Sequence, residues 1–278
     1  MQRINTAHAV RTAIGNRSSV LVPTMGGLHA GHLALVRHAR TLADRVVVSI
    51  YVNPLQFAPN EDYATYPRRI EKDCEQLQTL ADIVYTPSDD EMYPQAQTVS
   101  IALPPLATQF CGVSRPLFFQ GVTTVVCKLF NQCRPDIAVF GRKDYQQALL
   151  VDRMSQQLNT GVKIELHPTV RAADGLALSS RNEYLTTEQR QQAPALYRTL
   201  QHTARQLHTN NTAPATLCAT AQQQLHAAGL RSDYFAIRAA ADLGEPVAKT
   251  ARTVLAAAWC GDTRLIDNVT VLPDGTLV

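Results

Sequence analysis

The fold is decided by residues 19–32, which read SVLVPTMGGLHAGH. Residues 19–23 are a short apolar run that ends at a proline, a pattern typical of a buried strand. Two glycines follow, and apolar residues at helical spacing from 33 to 43 predict a helix directly after the turn. The sequence therefore places a helix N-terminus at the carboxyl end of a strand, where open α/β sheets bind ligands and where free N–H groups attract phosphate.

Strand and helix patterns alternate up to about residue 168. Residues 46–52 are apolar except for one serine, which is typical of a parallel strand covered on both faces. Further strands are predicted at 82–86, 137–140 and 163–166, and helices at 69–81, 122–132 and 143–158. This alternation predicts a doubly wound parallel α/β sheet of the Rossmann-like type, forming one domain over residues 1–168.

The pattern changes after Pro168. Two amphipathic helices are predicted at 187–208 and 212–228, with the polar break Thr209-Asn210-Asn211 between them. Short strands are predicted at 234–238, 253–258 and 263–266. We interpret residues 169–278 as a second, smaller α+β domain that acts as a lid.

The composition is that of a globular protein. The 278 residues are 45% hydrophobic and 18% charged, and the net charge of +3 argues against a nucleic-acid partner, which needs a concentrated basic face. The N-terminus has no apolar run typical of a signal peptide, and no stretch of about 18 apolar residues predicts a membrane span. The six cysteines form no Cys-x-x-Cys pair, so we expect reduced thiols in a cytoplasmic protein without a membrane partner.

Two histidines, His29 and His32, lie three residues apart at the predicted helix start, so both can face one side of the first turn. Imidazoles at this place can donate hydrogen bonds to phosphoryl oxygens as negative charge develops. Taken alone, the pair is also compatible with an ordinary surface turn. No third ligand for a metal ion is evident, so we expect no protein-bound metal.

Asn53 and Gln56 follow the second predicted strand. They are uncharged donors and acceptors, which suit a small hydroxy acid that must be oriented without titration of the side chains. An Asn-Pro pair is also an ordinary strand stop, which would explain Asn53 but not Gln56.

Two further polar clusters follow later strands. Lys143 offers a point charge for a phosphate, and Asp144 beside it can also serve as a helix N-cap. The hydroxyls and guanidinium of residues 179–181 can clamp a polyphosphate, although a serine pair before an asparagine is more often a plain loop.

The motif around the histidine pair resembles the HIGH-type signature of nucleotidylyltransferases. With five other motifs in the same order, the chain resembles the pantoate–β-alanine ligase (pantothenate synthetase) family over residues 20 to 270. These motifs read VSIYVNPLQF at 48–57, YPR at 66–68, FGRKDYQQ at 140–147, DGLALSSRN at 174–182 and TRLIDN at 263–268. One such motif would be weak evidence, whereas the ordered set is highly specific.

The resemblance implies an ATP-dependent condensation of (R)-pantoate with β-alanine to pantothenate, in the biosynthesis of coenzyme A. AMP and pyrophosphate are released through a pantoyl-adenylate. It further implies that ATP binds as a substrate with Mg²⁺, that no cofactor is tightly bound, and that the protein is a homodimer. Asp73 is a candidate for touching the Mg²⁺.

The resemblance also assigns residues. His32, His29 and Lys143 are the expected catalytic residues, and His32 is the family's usual proton donor. The ATP site is expected to comprise Met25, Gly26, Gly27, Leu28, His29, Ala30, Gly31, His32, Gly141, Arg142, Lys143, Asp144, Val170, Leu178, Ser179, Ser180 and Arg181. The pantoate and β-alanine sites are expected to comprise Gln56, Gln147, Asn53 and Arg115.

The chain departs from the family pattern in three places. Phe118 stands where the family usually has histidine, and Leu117 where a small or polar residue is common, so a polar contact beside pantoate is expected to be missing. Arg142 stands where an acidic residue or glutamine is usual, and we expect its side chain to point outward. Ala239 replaces a usual aspartate far from the motifs.

Three alternatives stay open at the level of sequence. Another adenylyl- or cytidylyltransferase of the superfamily would have no evident use for Gln56 and Gln147. A non-catalytic nucleotide-binding protein is favoured only by Phe118 and opposed by the intact histidine pair. An RNA-binding protein of synthetase descent is disfavoured by the modest net charge.

Overall fold

The structure, a computed structural model, describes residues 1–59, 61–209, 212–247 and 249–278. The chain divides into two compact units. Unit 1 comprises Met1–Arg142 and Gln146–His167, and unit 2 comprises Lys143–Tyr145 and Pro168–Val278. Residues 143–145 were predicted to lie in the first domain, whereas they belong to unit 2.

Unit 1 contains a six-stranded, fully parallel sheet with the strand order β1-β4-β3-β2-β5-β6. Its strands are β1 (Gln2–Ile4), β2 (Ser19–Thr24), β3 (Arg45–Ile50), β4 (Ile83–Tyr85), β5 (Ile137–Gly141) and β6 (Lys163–His167). The helices in this part of the chain are α1 (Ala7–Ile14), α2 (Ala30–Ala39), α3 (Ile70–Leu77), α4 (Asp89–Met92), α5 (Cys111–Ser114), α6 (Phe118–Cys133) and α7 (Tyr145–Gln157). The predicted doubly wound sheet is thereby confirmed.

Both faces of this sheet are covered, as the apolar strand sequences predict. On β2, Val20 and Val22 pack into one apolar cluster with Val36 of α2, while Leu21 packs into another with residues of α1 and α6. Successive side chains of a strand point to opposite faces, so a strand between two helix layers must be apolar at every position.

Helix ends differ from the predicted ends. The first predicted helix was extended to residue 43, but α2 ends at Ala39, and Leu42 and Ala43 pack against the core from the loop that follows. The helix predicted from residue 122 begins earlier, at Phe118. Neither β1 nor α1 was predicted, because both are short and lie in a polar stretch.

Unit 2 contains an antiparallel three-stranded sheet with the order β7-β8-β9. Its elements are α8 (Thr187–Gln192), α9 (Ala195–Thr209), α10 (Pro214–Ala227), β7 (Arg231–Ala239), β8 (Arg252–Cys260) and β9 (Thr263–Val271). Leu196 and Leu200 of α9, Leu225 of α10 and alternate residues of the strands form its core.

The long helix predicted at 187–208 is wrong, because Pro194 divides it into α8 and α9. A proline inside a helix has no N–H to donate, and its ring clashes with the preceding turn. Of the predicted polar break, Asn210 and Asn211 lie outside the described residues. Within the described ranges, no helix is long and apolar enough to cross a bilayer.

Candidate active site

A glycine turn follows β2 in unit 1. Gly26 and Gly27 have φ values of +83° and +61°, which favour glycine. A Cβ at Gly26 would lie 3.0 Å from both Asp73 Oδ2 and Ile50 Cγ2, so a larger residue does not fit without movement. The turn brings the backbone directly into the N-terminus of α2.

Asp73 of α3 holds this turn. Its Oδ2 accepts a hydrogen bond from the Gly27 N–H at 2.9 Å, and its Oδ1 accepts one from the Leu28 N–H at 2.9 Å. The side chain is buried. Both carboxylate oxygens thus hold the backbone of the turn, so Asp73 is a positioning residue, and its contact with Mg²⁺ stays a prediction.

The histidine pair caps α2. His29 is the N-cap residue, and its Nδ1 accepts from the Gly31 N–H at 3.1 Å. His32 Nδ1 accepts in turn from the His29 N–H at 3.4 Å, which completes a capping box, and the two ring centroids are 4.1 Å apart. In a neutral imidazole with an accepting Nδ1, the proton is on Nε2. The cap therefore leaves each ring with Nε2–H as its donor.

Asn53 follows β3 and caps the 3₁₀ turn that begins at Pro54. Its Oδ1 accepts from the Tyr93 hydroxyl at 2.8 Å, and its Nδ2 donates to the Gly121 carbonyl oxygen at 3.1 Å. Gly121 is needed here, because a Cβ would lie 2.2 Å from the Leu55 carbonyl oxygen. Asn53 is fully buried and has a positioning role, while its direct contact with substrate stays a prediction.

Gln56 is oriented by this arrangement. Its Oε1 accepts from Asn53 Nδ2 at 3.1 Å, and its Nε2 donates to Met25 Sδ at 2.9 Å. Burial raises the pKa of Tyr93, as does nearby Asp89, so the tyrosine hydroxyl keeps its proton and remains a donor to Asn53. The structure thus connects the turn after β3 to the glycine turn after β2 and fixes which end of the Gln56 amide donates.

Arg115 is engaged by protein groups. Its Nε and Nη2 donate to the two carboxylate oxygens of Glu61, each at 2.6 Å, and Nη2 also donates to the Gln56 carbonyl oxygen at 3.1 Å. The guanidinium lies 3.7 Å from the centroid of the Phe118 ring. Arg115 therefore positions the backbone of Gln56, and its direct role in pantoate binding stays a prediction.

Phe118 begins α6 and packs on the apolar core and edge-on against Phe119. A protonated histidine in the same place would meet the Arg115 guanidinium as a like charge, whereas phenylalanine offers a ring face for a cation–π contact. Leu117 beside it is 69% exposed. Phenylalanine in place of the family's usual histidine thus gives the Arg115 guanidinium an apolar ring face as its neighbour.

The two neighbouring glutamines of α7 differ in their surroundings. Gln146 is buried and donates to the Leu106 and Gln109 carbonyl oxygens at 2.9 and 2.8 Å. Gln147 is half-buried. Gln146 thus holds the segment before α5, and Gln147 is the more accessible of the two; its substrate role stays a prediction.

Unit 2 contains a small pocket lined by both polar and apolar residues. Its polar lining comprises Lys143, Ser179, Asn182, Arg264 and Asp267. Ser179 caps the 3₁₀ turn Ser180–Tyr184 by accepting from the Arg181 N–H at 3.3 Å. The structure therefore brings together two of the residues predicted to bind phosphate, Lys143 and Ser179.

The remaining predicted ATP residues are placed as follows. The Leu178 N–H donates to the Val170 carbonyl oxygen at 2.9 Å, so these two residues are neighbours in unit 2. Gly141 ends β5 in unit 1. Arg142 is half-buried and its Nε is inaccessible to solvent, and the outward direction of its side chain stays a prediction.

Several positioning roles were not predicted from sequence. Asp73, Tyr93 and Glu61 lie 46, 40 and 54 positions from the partners they hold. No local pattern marks such a pairing, since only the folded sheet brings these segments together.

A parallel α/β sheet with a glycine turn and a donor pair at a helix N-terminus defines a Rossmann-like nucleotide-binding protein. A family model described as pantoate–β-alanine ligase matches residues 1–270. The chain belongs to the pantoate–β-alanine ligase family. The predicted family, fold class and ligase activity are thereby confirmed.

Individual relatives and solved structures support the same family assignment. The chain is 49% identical to a pantothenate synthetase of Pseudomonas putida, with 97% of each chain covered, and 48% identical to one of Azotobacter vinelandii, with 98% and 99% covered. A crystal structure of pantothenate synthetase from Thermus thermophilus superposes with a TM-score of 0.90 at 42% identity, covering 96% of this chain and 98% of that one. A pantoate–β-alanine ligase structure from Francisella tularensis, complexed with β-γ ATP and β-alanine, has a TM-score of 0.82 at 31% identity, covering 99% of each chain.

Proposed function

We propose that the chain joins pantoate to β-alanine in two chemical steps. In the first, a pantoate carboxylate oxygen attacks the α-phosphorus of ATP and the bond to the β-phosphate oxygen breaks, which releases pyrophosphate. In the second, the β-alanine amine attacks the acyl carbon, the bond to the adenylate oxygen breaks, and AMP leaves while the amine loses a proton. The substrates supply both nucleophiles, so the protein needs only to position them and to stabilise charge.

The observation that carries the proposal is the capping arrangement of His29 and His32. Both Nδ1 atoms accept from the backbone, so both neutral rings have Nε2–H as their donor at the start of α2. Two preoriented donors beside the positive end of a helix suit the charge that develops on the α-phosphate. We assign His32 and His29 as hydrogen-bond donors that stabilise this charge; transfer of a proton from His32, which the resemblance implies, requires the ring to be protonated at both nitrogens.

As the resemblance implies, we assign two sets of residues to ATP. In unit 1, these are the backbone of Met25 to His32 and of Gly141 and Arg142. In unit 2, they are Lys143, Asp144 and Leu178 to Arg181, and Val170 contacts the adenine. The support is the positive and hydroxyl-bearing lining that Lys143 and Ser179 give to the unit 2 pocket. Mg²⁺ arrives with ATP, since it prefers phosphate oxygens and waters to an all-protein site.

Pantoate is assigned to Gln56 and Gln147. The Gln56 Nε2 faces the thioether of Met25, which is a weak acceptor, so a substrate hydroxyl or carboxylate can replace it with a gain in hydrogen-bond strength. Asn53, Tyr93 and Arg115 act through Gln56 by fixing its amide and its backbone.

We further propose a homodimer that acts in the cytoplasm, as the family resemblance implies. Light scattering of the purified protein over a range of concentrations tests the assembly: a mass near twice 30.5 kDa is expected, and a constant mass of one chain would exclude the dimer.

The experiment that tests the proposal measures AMP and pyrophosphate release with each substrate omitted in turn. Release should require ATP and pantoate, and steady turnover should require β-alanine as well. Exchange of labelled pyrophosphate into ATP should need pantoate and proceed without β-alanine. If exchange required β-alanine, the proposed order of steps would be wrong.

A further inference from the structure

Lys143 lies in a three-residue segment, Lys143–Tyr145, that belongs to unit 2 although its chain neighbours on both sides belong to unit 1. Two hydrogen bonds fix this segment. Asn268 Nδ2 donates to the Lys143 carbonyl oxygen at 2.9 Å, and the Tyr145 hydroxyl donates to the Ala240 carbonyl oxygen at 2.7 Å. Asn268 is in β9, and Ala240 directly follows β7, so both contacts come from the sheet of unit 2.

Asn268 is itself held by a buried ion pair. Its N–H donates to Asp267 Oδ1 at 2.8 Å, and Arg171 donates to both oxygens of Asp267 at 2.5 and 2.9 Å. The Arg171 guanidinium lies 3.5 Å from the centroid of the Tyr197 ring. A buried ion pair contributes little net stability, so its value here is in fixing a geometry.

Through Asn268, the ion pair fixes the position of the Lys143 backbone, from which the Lys143 side chain extends. A lysine carries its charge on a flexible four-carbon stem, so the place its ammonium can reach depends on where the backbone is held. The Lys143 side chain is 19% exposed and lines the same pocket as Ser179 and Asp267. The Lys143 side chain thus lines the pocket, and its backbone belongs to a segment that is hydrogen-bonded to the sheet of unit 2.

We propose that Asn268 and Tyr145 are positioning residues for ATP cleavage, which hold the Lys143 backbone so that its ammonium meets the phosphates. The inference rests on the proposed role of Lys143. It adds a function for the end of the TRLIDN motif and for the tyrosine of FGRKDYQQ, neither of which was assigned a role from sequence.

The test combines Asn268→Ala and Tyr145→Phe with Lys143→Ala. Loss of one hydrogen bond is expected to lower kcat/KM for ATP about two- to tenfold in each single variant, with the pantoate KM unchanged. In the Lys143→Ala background, the same substitutions should have no further effect, because residues that act through one group are not additive. Tyr145→Phe removes only a hydroxyl, so this variant tests the positioning role by itself if Asn268→Ala does not fold.

Thr270→Val is the matched control. Thr270 shares β9 with Asn268, and its hydroxyl is 2.9 Å from that of Thr253 in a buried pair, so its loss perturbs the sheet without touching the 143–145 segment. It should lower the melting temperature and keep kcat/KM for ATP.

The outcomes separate the two proposals. The positioning role would be overturned if Asn268→Ala and Tyr145→Phe lowered kcat/KM for ATP equally in the parent and in the Lys143→Ala background. It would also be overturned if neither single variant lowered kcat/KM for ATP. Both results would leave the proposed function intact. Full turnover of Lys143→Ala itself would instead remove Lys143 from the proposed function, and the positioning role with it.

Discussion

The Tyr93 hydroxyl donates a 2.8 Å hydrogen bond to Oδ1 of Asn53, a residue 40 positions earlier in the chain. Through the other end of the Asn53 amide, this contact fixes the orientation of Gln56. A tyrosine outside every recognised motif thus controls which atom of Gln56 donates to a ligand.

Tyr93→Phe should therefore weaken pantoate binding. Removing one hydrogen bond of about 1 kcal/mol is expected to raise the pantoate KM about fivefold and to leave the ATP KM unchanged. Tyr85→Phe is the control, because the Tyr85 hydroxyl donates to Gln132 Oε1 at 3.1 Å elsewhere in unit 1. A pantoate KM that changes equally in both variants would show a general effect of destabilisation.

His29 has two separable tasks, capping α2 and donating to phosphate. Asparagine is a good N-cap residue but has no imidazole, so His29→Asn should keep the melting temperature and lower turnover about 10²-fold. His29→Ala should lose both. His38→Ala, on the same helix, is the control and should keep turnover. Near-normal turnover of His29→Asn would mean that His29 serves only as a cap.

His32→Ala should also lower turnover about 10²-fold, the scale for loss of one transition-state donor. Since the side chain is half-buried at the start of α2, a modest loss of stability from the incomplete capping box is expected as well. Circular dichroism should show the native fold. Single-turnover measurement of pyrophosphate release checks the chemical step, and an unchanged rate would exclude His32 from it.

Phe118→His should change pantoate kinetics and leave the ATP KM nearly unchanged. At pH 8 the new imidazole is neutral; because nearby Arg115 lowers its pKa below the ordinary value of about 6.5, it becomes protonated only in more acid solution and then meets Arg115 as a like charge. The pantoate KM should therefore rise as the pH falls in this variant. Phe118→Leu, which cannot titrate, should not show this added pH dependence. A change confined to the ATP KM would contradict this placement of Arg115 and Phe118 beside Gln56.

Because of Asp82, the free energy of unfolding should decrease as the pH falls into the acid range. Burial alone would raise its pKa, but hydrogen bonds from the Val46 N–H, Arg40 and Arg45, at 2.8, 2.7 and 3.1 Å, lower it overall below its ordinary value. A folded-state pKa below the unfolded value of about 3.9 means that the stabilisation is complete above that value and is lost as the pH falls through the folded-state pKa. Asp82→Asn should therefore be less stable at pH 7, with a difference that closes below about pH 4.

Chemical denaturation at several pH values checks this expectation. Asp90→Asn, which removes an exposed carboxylate, should show no such convergence. A constant difference between Asp82→Asn and the parent from pH 7 to about pH 2.5 would contradict the assigned role of the ion pairs.

The sheet of unit 1 could be predicted from sequence because its strands are buried on both faces, and continuous apolar runs such as 46–52 mark such strands plainly. Helix ends could not be predicted in the same way. Leu42 is apolar but packs against the core from a loop, and hydrophobic periodicity does not distinguish such a residue from one in the helix. The division at Pro194 was predictable from the proline itself.

The site was predictable where its chemistry is local. His29 and His32 lie in one turn, and Asn53 and Gln56 in the next, so short motifs contain them. The groups that hold them, such as Asp73 under the glycine turn, come from distant segments whose pairing depends on the sheet order. Sequence does not distinguish a residue that touches a ligand from one that holds its neighbour, so direct contact of Asn53 and Arg115 with substrate stays a prediction.

The central claim, that pantoate is activated as an adenylate, is tested most directly with pantoate labelled with ¹⁸O in its carboxylate. If a carboxylate oxygen attacks the α-phosphorus, the C–O bond broken in the second step leaves that oxygen on phosphorus, and the AMP should contain one ¹⁸O atom per turnover. Mass spectrometry of the released nucleotide reads this out. Unlabelled AMP, or release of ADP together with labelled inorganic phosphate, would contradict the adenylate mechanism.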